Sequence, residues 1–349
     1  MNHKKARHWR AFLWAVAIAW GAALRHSGHM PEQPVLRHIH VVAGVITDAR
    51  GHILLNRREG NRDLVGLWEF PGGKREAGET SEQALVRELR EELGIEAVVG
   101  ECLIQVPQNY PDKTLVLEVR RVTGCSGRPR GHEGQAITWV PKEKLSRYSM
   151  PPADLPVVAA LLQPDRYLIT PSTGGDGAAW LQALDQAVAK GIRRVQLRLP
   201  RELADREALL RQAVALLAGR AEILINRDID LARSLGVGVH LGSEQVLTLS
   251  ERPLLDGPVA ASCHDTAQLL AAQALGCDWA VLGPVRPTAS HPGAAVLGWE
   301  GFAALRARCA LPLYALGGLG PADIGAARDH GAQGIAAISG LWPGRVARA

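Results

Sequence analysis

Gly73 to Ile95 reads GKREAGETSEQALVRELREELGI, and this stretch decides the fold of the first half of the chain. Thr80 followed three residues later by Gln83 is a capping-box pattern, so a helix is predicted over Thr80 to Leu93. Leu85, Leu89 and Leu93 recur every four residues and bury one face. Glu88, Glu91 and Glu92 stand at i, i+3 and i+4 and share another face. Gly94 follows as the C-terminal stop. Carboxylates gathered on one face repel each other, and without compensation they weaken the helix or raise their own pKa values. A hard, oxygen-seeking cation such as Mg²⁺ or Mn²⁺ supplies the missing charge. Arg87 can pair with Glu79 or Glu91 and orient them. Phe70-Pro71-Gly72-Gly73 brings backbone close to the helix start, where the Gly72 carbonyl could join the metal shell. A merely solvated acidic face would need none of these coupled features.

Outward from the helix, His40–Thr47 reads as a strand and Gly51–Asn56 as its hairpin partner. Further strands are predicted at Cys102–Val106, Thr114–Val122 and Ala136–Val140, and a closing helix at Pro156–Leu162. From Arg166 the pattern alternates. Strand-like runs lie at Tyr167–Thr170, Val195–Leu199, Ile223–Asn226, Gly238–Leu241, Val259–Ser262, Trp279–Gly283, Leu313–Leu316 and Gly334–Ile338. Helix-like stretches separate most of them, at Ala178–Lys190, Glu202–Ala218, Thr266–Leu275 and Pro321–His330. Eight such units predict a compact (β/α)₈ TIM barrel. The expected domains are an N-terminal extension over residues 1–35, an α/β domain over 36–163 and the barrel over 164–349. The short link at Gln163-Pro164-Asp165 predicts that the two domains touch.

The net charge of +5 and a charged fraction of 21% suit a soluble enzyme with polyanionic ligands and do not demand nucleic acid. Five cysteines without a CxxC pair argue against a disulfide framework or zinc site and fit a reducing, cytoplasmic compartment. In the first thirty residues, Lys4, Lys5, Arg7 and Arg10 precede an apolar run from Ala11 to Leu24. Three readings stay open: an upstream extension with the true start at Met30, a targeting or membrane segment, and an ordinary helix. No stable membrane association is expected, because the run is short for a bilayer.

Gly73, Glu79, Arg87, Glu88, Glu91, Glu92 and Gly94 match the defining positions of the Nudix box, so the first domain resembles a Nudix hydrolase. That resemblance implies an α/β/α sandwich with a mixed sheet and metal ligands among Gly72, Glu88, Glu91 and Glu92. It leaves the general base unassigned. Arg57-Arg58, Leu67 to Lys74, Tyr110 to Lys113, His132-Glu133-Gly134-Gln135 and Met150 to Val157 are similar to the MutT branch, the 8-oxo-dGTP diphosphatases. By that resemblance Arg58 contacts phosphate, Glu133 is a further metal ligand or base, and Glu69, Phe70, Pro71 and Gly72 line the nucleoside pocket. The implied reaction cleaves 8-oxo-dGTP to 8-oxo-dGMP and pyrophosphate, which keeps a mutagenic nucleotide out of DNA replication and makes the role one of nucleotide-pool sanitation and DNA repair. The alternatives are another nucleoside or thiamine-related diphosphate as substrate, and a bifunctional hydrolase and synthase. Two positions depart from the branch. Asp154 stands where an Asn reads the purine edge, and Asp63 stands in place of a His. An ionised Asp only accepts hydrogen bonds and can donate to O6 only when protonated. Asp154 can also be read as a loop-to-helix cap before Pro156.

Residues 166–340 resemble thiamine-phosphate synthase and its non-catalytic relatives. The carrying motifs are Val195-Gln196-Leu197-Arg198, Ile225-Asn226, Gly238-Val239-His240-Leu241-Gly242, Gly283-Pro284-Val285, Ala315 to Leu319 and Ile338-Ser339. Gly317, Gly318, Ser339 and Gly340 follow the seventh and eighth strands, the usual phosphate site of a barrel. Against the synthase pattern, Pro200 replaces a Lys, and Asn226-Arg227-Asp228 reverses an Asn-Asp-Arg. Gln245 follows Glu244 where an acid is expected, and Arg286 and Ser290-His291-Pro292 replace an aromatic and a Lys. The replaced groups are those that the resemblance assigns to magnesium and diphosphate. The barrel is therefore expected to bind a phosphorylated ligand, to scaffold, or to sense a metabolite for the hydrolase, rather than to act as a synthase. His240 is read either as a core histidine or as a pocket residue.

Overall fold

The computed structural model describes residues 37–59, 64–110, 113–172, 176–288 and 295–343. The readings made for residues 1–35, Asp63, Pro111-Asp112 and Ser290-His291-Pro292 lie outside the described residues. Among the described residues no helix is long and apolar enough to cross a membrane, and the five cysteines are free thiols.

The helix at the centre of the first domain, α1, runs Ser81–Leu93. Its capping box is complete: the Gln83 amide donates to Thr80 Oγ1 at 3.2 Å, and the Thr80 amide donates to Gln83 Oε1 at 2.9 Å. Gly94 ends it in the left-handed region at φ 66°; its amide donates to the Arg90 carbonyl and the Ile95 amide to that of Leu89. Leu85, Leu89 and Leu93 are fully buried.

Four strands form the first sheet in the order β4-β1-β6-β5: β1 (Arg37–Val45), β4 (Gly72–Lys74), β5 (Glu96–Asn109) and β6 (Lys113–Ser126). It is mixed, since β1 runs parallel to β6 and antiparallel to β4. Strand alternation splits its side chains between two helices. Val42 and Ile46 pack with the α1 leucines. Ala43 and Val45 pack with Val157 and Ala160 of helix α2 (Leu155–Leu162). The strand pattern of β1 thus builds the expected sandwich.

The expected hairpin is corrected. β2 (His52–Arg57) pairs with β3 (Trp68–Glu69) and β7 (Ile137–Pro141) in a second, three-stranded antiparallel sheet. Only the isolated bridge Thr47–Ile53 links the two strands near the turn. The turn at Asp48–Gly51 is real: the Asp48 side chain accepts from the amides of Arg50 and His52. Beyond it the chain leaves the first sheet, so the local turn signal carried no information about the strand partner.

The second domain is a closed barrel of eight parallel strands, β8 (Arg166–Ile169), β9 (Arg194–Leu197), β10 (Glu222–Asn226), β11 (Gly238–Leu241), β12 (Val259–Cys263), β13 (Trp279–Leu282), β14 (Leu313–Leu316) and β15 (Gly334–Ala337). Each lies where the apolar runs predict it. Tyr167, Leu224, Ala260, Trp279, Val281, Tyr314 and Ala336 fill the interior. Their sequence neighbours pack outward on the helices. The domains touch: the Asn109 amide donates to Ala307 O at 2.6 Å, and Gln333 Nε2 donates to Gln163 O at 3.2 Å.

A Cβ on Gly94 would lie 2.4 Å from the His132 ring, and the residue holds φ 66°. Gly94→Ala is expected to cost the end of α1 about 2 kcal/mol, roughly thirtyfold faster hydrogen exchange of its amides. Unchanged exchange in that variant would show that the glycine cap is not what holds this end of the helix.

Candidate active site

The acidic face of α1 is organised by one arginine. Arg87 donates from Nε to Glu79 Oε1 at 2.7 Å and from Nη2 to Glu79 Oε2 at 2.9 Å. Its Nη1 reaches Glu88 at 3.0 Å and Glu91 at 3.3 Å, and Nη2 also bonds the Lys74 carbonyl at 3.0 Å. The predicted alternatives of Glu79 or Glu91 are therefore both realised, with Glu88 added. The hydrogen bonds from Arg87, then that from the Glu76 amide, bring the Glu79 carboxyl down to about 2. Arg87 itself is held well above its ordinary value, first by Glu79.

Glu92 behaves oppositely. It is 8% exposed, and its carboxyl is pushed up to about 8, first by burial and then by Glu88, Glu69 and Glu133. Its Oε2 is buried without a hydrogen-bond partner among the described residues. The converging acids are thus Glu69, Glu88, Glu92 and Glu133, whereas Glu91 is 58% exposed at its side chain and rests on Arg87. Sharing one helical face was too coarse a criterion: i+3 and i+4 positions diverge enough for one carboxylate to be buried and its neighbour to reach solvent.

Two glycines make room for these groups. A Cβ on Gly73 would lie 2.3 Å from the Glu88 carboxylate. Gly72 has φ 148°, and a Cβ there would lie 2.1 Å from Val42 O. Glu133 arrives on a loop latched to the end of α1. The His132 amide donates to Glu92 O at 2.9 Å, and Gln135 Nε2 donates to the same oxygen at 3.1 Å. Gln135 Oε1 in turn accepts from the Glu133 amide at 2.9 Å. Gln135 was quoted only as part of a motif. A buried amide beside an acidic loop was the available signal for its role.

Glu118 on β6 was missed altogether. It is 4% exposed and accepts from Ser81 Oγ at 2.6 Å and Arg120 Nη1 at 2.7 Å, with His40 Nε2 at 3.2 Å. Burial raises its pKa, but the bonds from Ser81 and Arg120 outweigh burial and keep it low. An anion at a helix N-terminus is favourable, and this one ties α1 to the sheet.

Beside the acids lies a second pocket wall. Arg58 pairs with Glu69. Asp154 is 5% exposed, and its Oδ1 accepts from the Phe70 amide at 3.4 Å. It stands at the N-terminus of α2 but makes no side-chain cap bond, which removes the capping reading. Burial first, then Glu69, pushes its carboxyl up to about 8. Trp68 and Tyr148 pack edge to face nearby in sequence, with centroids 5.5 Å apart. Pro71 O accepts from the Gly44 amide at 2.8 Å and fixes the strand end that carries Glu69, Phe70 and Gly72.

Among the described residues no three His, Cys, Asp or Glu side chains are already arranged to hold a metal ion; Arg87 keeps Glu88 and Glu91 to itself. The donor set still fits a hard divalent cation. The donors are carboxylates and a backbone carbonyl, one buried carboxylate oxygen lacks a partner, and its pKa is raised by neighbouring negative charge.

In the barrel, His240 is 1% exposed. Tyr167 Oη lies 3.0 Å from its Nδ1, and Ser262 Oγ lies 2.8 Å from its Nε2. Burial lowers its pKa to about 3, so it is a neutral, fully bonded core histidine. Gln245, at the expected acid position, is engaged with backbone at both ends of its amide: Oε1 accepts from Gly242 N and Nε2 donates to Arg227 O. The loops after β14 and β15 meet, and a Cβ on Gly340 would lie 2.2 Å from Leu319 O. Gly317 and Gly318 have φ 112° and 62°.

Residues 42–160 match the family model described as NUDIX domain, and residues 166–341 match that described as Thiamine monophosphate synthase. The CTP pyrophosphohydrolase of Escherichia coli is 42% identical over 127 residues, 36% of this chain and 93% of that protein. The 8-oxo-dGTP diphosphatase of Haemophilus influenzae is 41% identical over 124 residues, 36% of this chain and 91% of that one. A putative thiamine-phosphate synthase of Geobacter sulfurreducens is 37% identical over 182 residues, 50% of this chain and 85% of that one.

Replacing Glu92 by Gln removes the charge while keeping the shape. Nucleotide hydrolysis is expected to fall by roughly 10²–10⁴-fold, with a metal-free thermal midpoint at pH 8 equal to or above the parent's. Turnover within a few-fold of the parent would remove Glu92 from the active site.

Proposed function

This chain belongs to the Nudix family through residues 42–160 and to the thiamine monophosphate synthase family through residues 166–341, and we propose that its first domain is a magnesium-dependent nucleoside triphosphate pyrophosphohydrolase. The carrying observation is the buried carboxylate of Glu92 among Glu69, Glu88 and Glu133, with one oxygen that has no hydrogen-bond partner among the described residues. Mg²⁺, or Mn²⁺, would be held by Glu88, Glu91, Glu92, Glu133 and the Gly72 carbonyl. Bound there, it neutralises the triphosphate and lowers the pKa of water. Arg87 keeps Glu79, Glu88 and Glu91 oriented. The proton of the attacking water goes to Glu92 or Glu133, the two acids not committed to Arg87. Arg58, held by Glu69, stands at the pocket wall for the substrate.

The favoured substrate is 8-oxo-dGTP, released as monophosphate and pyrophosphate, in a cytoplasmic role that removes mutagenic nucleotides before replication. Asp154 supports this reading. With its pKa near 8 it is neutral at pH 7, so it offers one O–H donor and one acceptor. 8-Oxoguanine presents N7–H and O6, which match that pair. Guanine presents two acceptors, N7 and O6, and matches only half of it. The same neutral acid also fits cytosine, whose N4 donates and whose N3 accepts. A CTP-type activity is therefore the second reading, supported by this complementarity and by the similarity to the E. coli CTP pyrophosphohydrolase.

In the barrel, the glycine loops at Gly317, Gly318, Ser339 and Gly340 suit the phosphate of a ligand, while Pro200, Arg227 and Gln245 stand where the synthase pattern expects a Lys, an Asp and an acid. The barrel is read as a ligand-binding domain.

The Asp154 pKa in the fold lies above its unfolded value. Its neutral form, and the stability tied to it, is present at low pH and lost as pH rises through about 8. kcat/KM at constant Mg²⁺ is expected to fall towards tenfold per pH unit above pH 8 for the preferred base. Asp154→Asn, which donates and accepts at every pH, should flatten that limb. Parallel profiles for both proteins would mean that the Asp154 proton does not read the base.

A further inference from the structure

Helix α2 (Leu155–Leu162) has Asp154 at its N-terminus and the link to the barrel at its C-terminus. Eight residues at 1.5 Å each make a rod of about 12 Å. What holds one end of so short a rod sets the position of the other.

The body of α2 is held by apolar contact. Its sequence, LPVVAALL, carries no polar side chain, and Pro156 to Leu161 are buried. They pack on Ala43 and Val45 of β1 and on Leu103, Ile104 and Val106 of β5. Apolar burial is non-directional, so it presses the helix onto the sheet more firmly than it fixes it along its axis. At the N-terminal end, the bond from the Phe70 amide to Asp154 Oδ1 is long, at 3.4 Å.

The C-terminal end is held by directed bonds. Gln163 leaves the helix in extended backbone, at φ −103° and ψ 157°, as the following proline requires, and the Pro164 ring restricts the next φ. The floor of the barrel grips this stiff link. Gln333 Nε2 donates to the carbonyls of Gln163 at 3.2 Å and Pro164 at 3.4 Å. Tyr314 Oη donates to Pro164 O and accepts from Arg194 Nη1 at 2.7 Å. The same Nη1 donates to Gln163 Oε1 at 3.0 Å. Arg194 is fixed in turn: its Nε donates to Glu222 Oε2 at 2.6 Å, and its Cζ lies 3.5 Å from the centroid of a Trp279 ring. Arg194, Tyr314 and Gln333 are all buried. They stand at or beside the N-terminal ends of β9, β14 and β15, away from the barrel mouth. A second contact opposes pivoting about the link, since the Asn109 amide and Gln108 Nε2, at the end of β5, both donate to Ala307 O.

We propose that Arg194, Tyr314 and Gln333 are positioning residues of the hydrolase: by holding the C-terminal end of α2 they set where Asp154, at its other end, meets the nucleobase. The inference rests on the reading of Asp154 as the residue that distinguishes bases. It gives the barrel a part in nucleotide selection that needs no barrel ligand.

The test is steady-state hydrolysis of 8-oxo-dGTP, CTP and dGTP with Mg²⁺ by full-length variants. Tyr314→Phe keeps the ring and Gln163→Met keeps the backbone carbonyl, so both are expected to fold, which thermal melting verifies. Gln333→Leu, which also removes a buried oxygen that has no partner among the described residues, stands in for a variant that unfolds. In each, KM for the preferred nucleotide should rise about fivefold with kcat within about twofold, the pattern of lost binding with intact chemistry, and the lead over dGTP should shrink. Gln163→Glu keeps an acceptor for Arg194 and should behave as the parent. Without nucleotide, the Phe70 amide should exchange its hydrogen faster in Tyr314→Phe while the α1 amides do not, which a general loss of stability would not produce. Asp154→Ala separates the two claims. If it abolishes the parent's preference while Tyr314→Phe and Gln163→Met keep the parental KM values and Phe70 protection, the proposal is overturned and the reading of Asp154 stands. If Asp154→Ala retains the preference, the reading of Asp154 fails and the proposal falls with it.

Discussion

Mutual repulsion around Glu92 is the constraint on which the first domain depends. Burial and three neighbouring acids make its charge unfavourable, and one of its oxygens has no partner among the described residues. A fold relieves such strain by moving the groups apart unless other interactions hold them. Here the holding is distributed. The capping box and Gly94 set the length of α1, and three leucines press it on the sheet. Glu118 anchors its first turn through Ser81, and His132 and Gln135 latch the Glu133 loop to its last. Arg87 clamps Glu79, Glu88 and Glu91, Arg58 pairs with Glu69, and one oxygen of Glu92 is left without a hydrogen-bond partner among the described residues. The arrangement is costly by itself, and under the proposed function a divalent cation would offset that cost, which is how a ligand site stores its own binding energy.

Asp154 solves a different problem with the same residue chemistry. Both acids are raised to about 8 chiefly by burial. Glu92 faces carboxylates, and under the proposed function a bound cation would restore its ionised form. Asp154 faces a backbone amide at the foot of the Glu69 strand, where a neutral acid can both accept and donate. Under the proposed function the two buried carboxyls would divide the labour of the site, Glu92 serving the cation and Asp154 the base.

Much of this was legible from residue order. The α1 cap, its leucine face, its glycine stop and all eight barrel strands lie where periodicity puts them, because those features depend on neighbours within a few residues. The partner of β2 was not legible, since a turn at Asp48–Gly51 serves either sheet. The separation of Glu91 from Glu92 was hidden because both satisfy the same spacing. Glu118 was invisible because its partners, Ser81, Arg120 and His40, meet only through long-range strand pairing. His240, which residue order leaves open between a core and a pocket role, is a satisfied core group whose partner Tyr167 lies 73 positions away.

The fusion places a Nudix domain and a barrel of the thiamine monophosphate synthase family in one chain, joined by a short link whose backbone is bonded into the barrel through Gln333. The account's central claim concerns which bond the first domain breaks. Hydrolysis of 8-oxo-dGTP, dGTP, CTP and dCTP by the full chain with Mg²⁺, with products separated by ion exchange, tests it directly. The account predicts monophosphate and pyrophosphate, with 8-oxo-dGTP or the cytosine nucleotides well ahead of dGTP. Release of diphosphate and orthophosphate, or no turnover of any of the four, would contradict it.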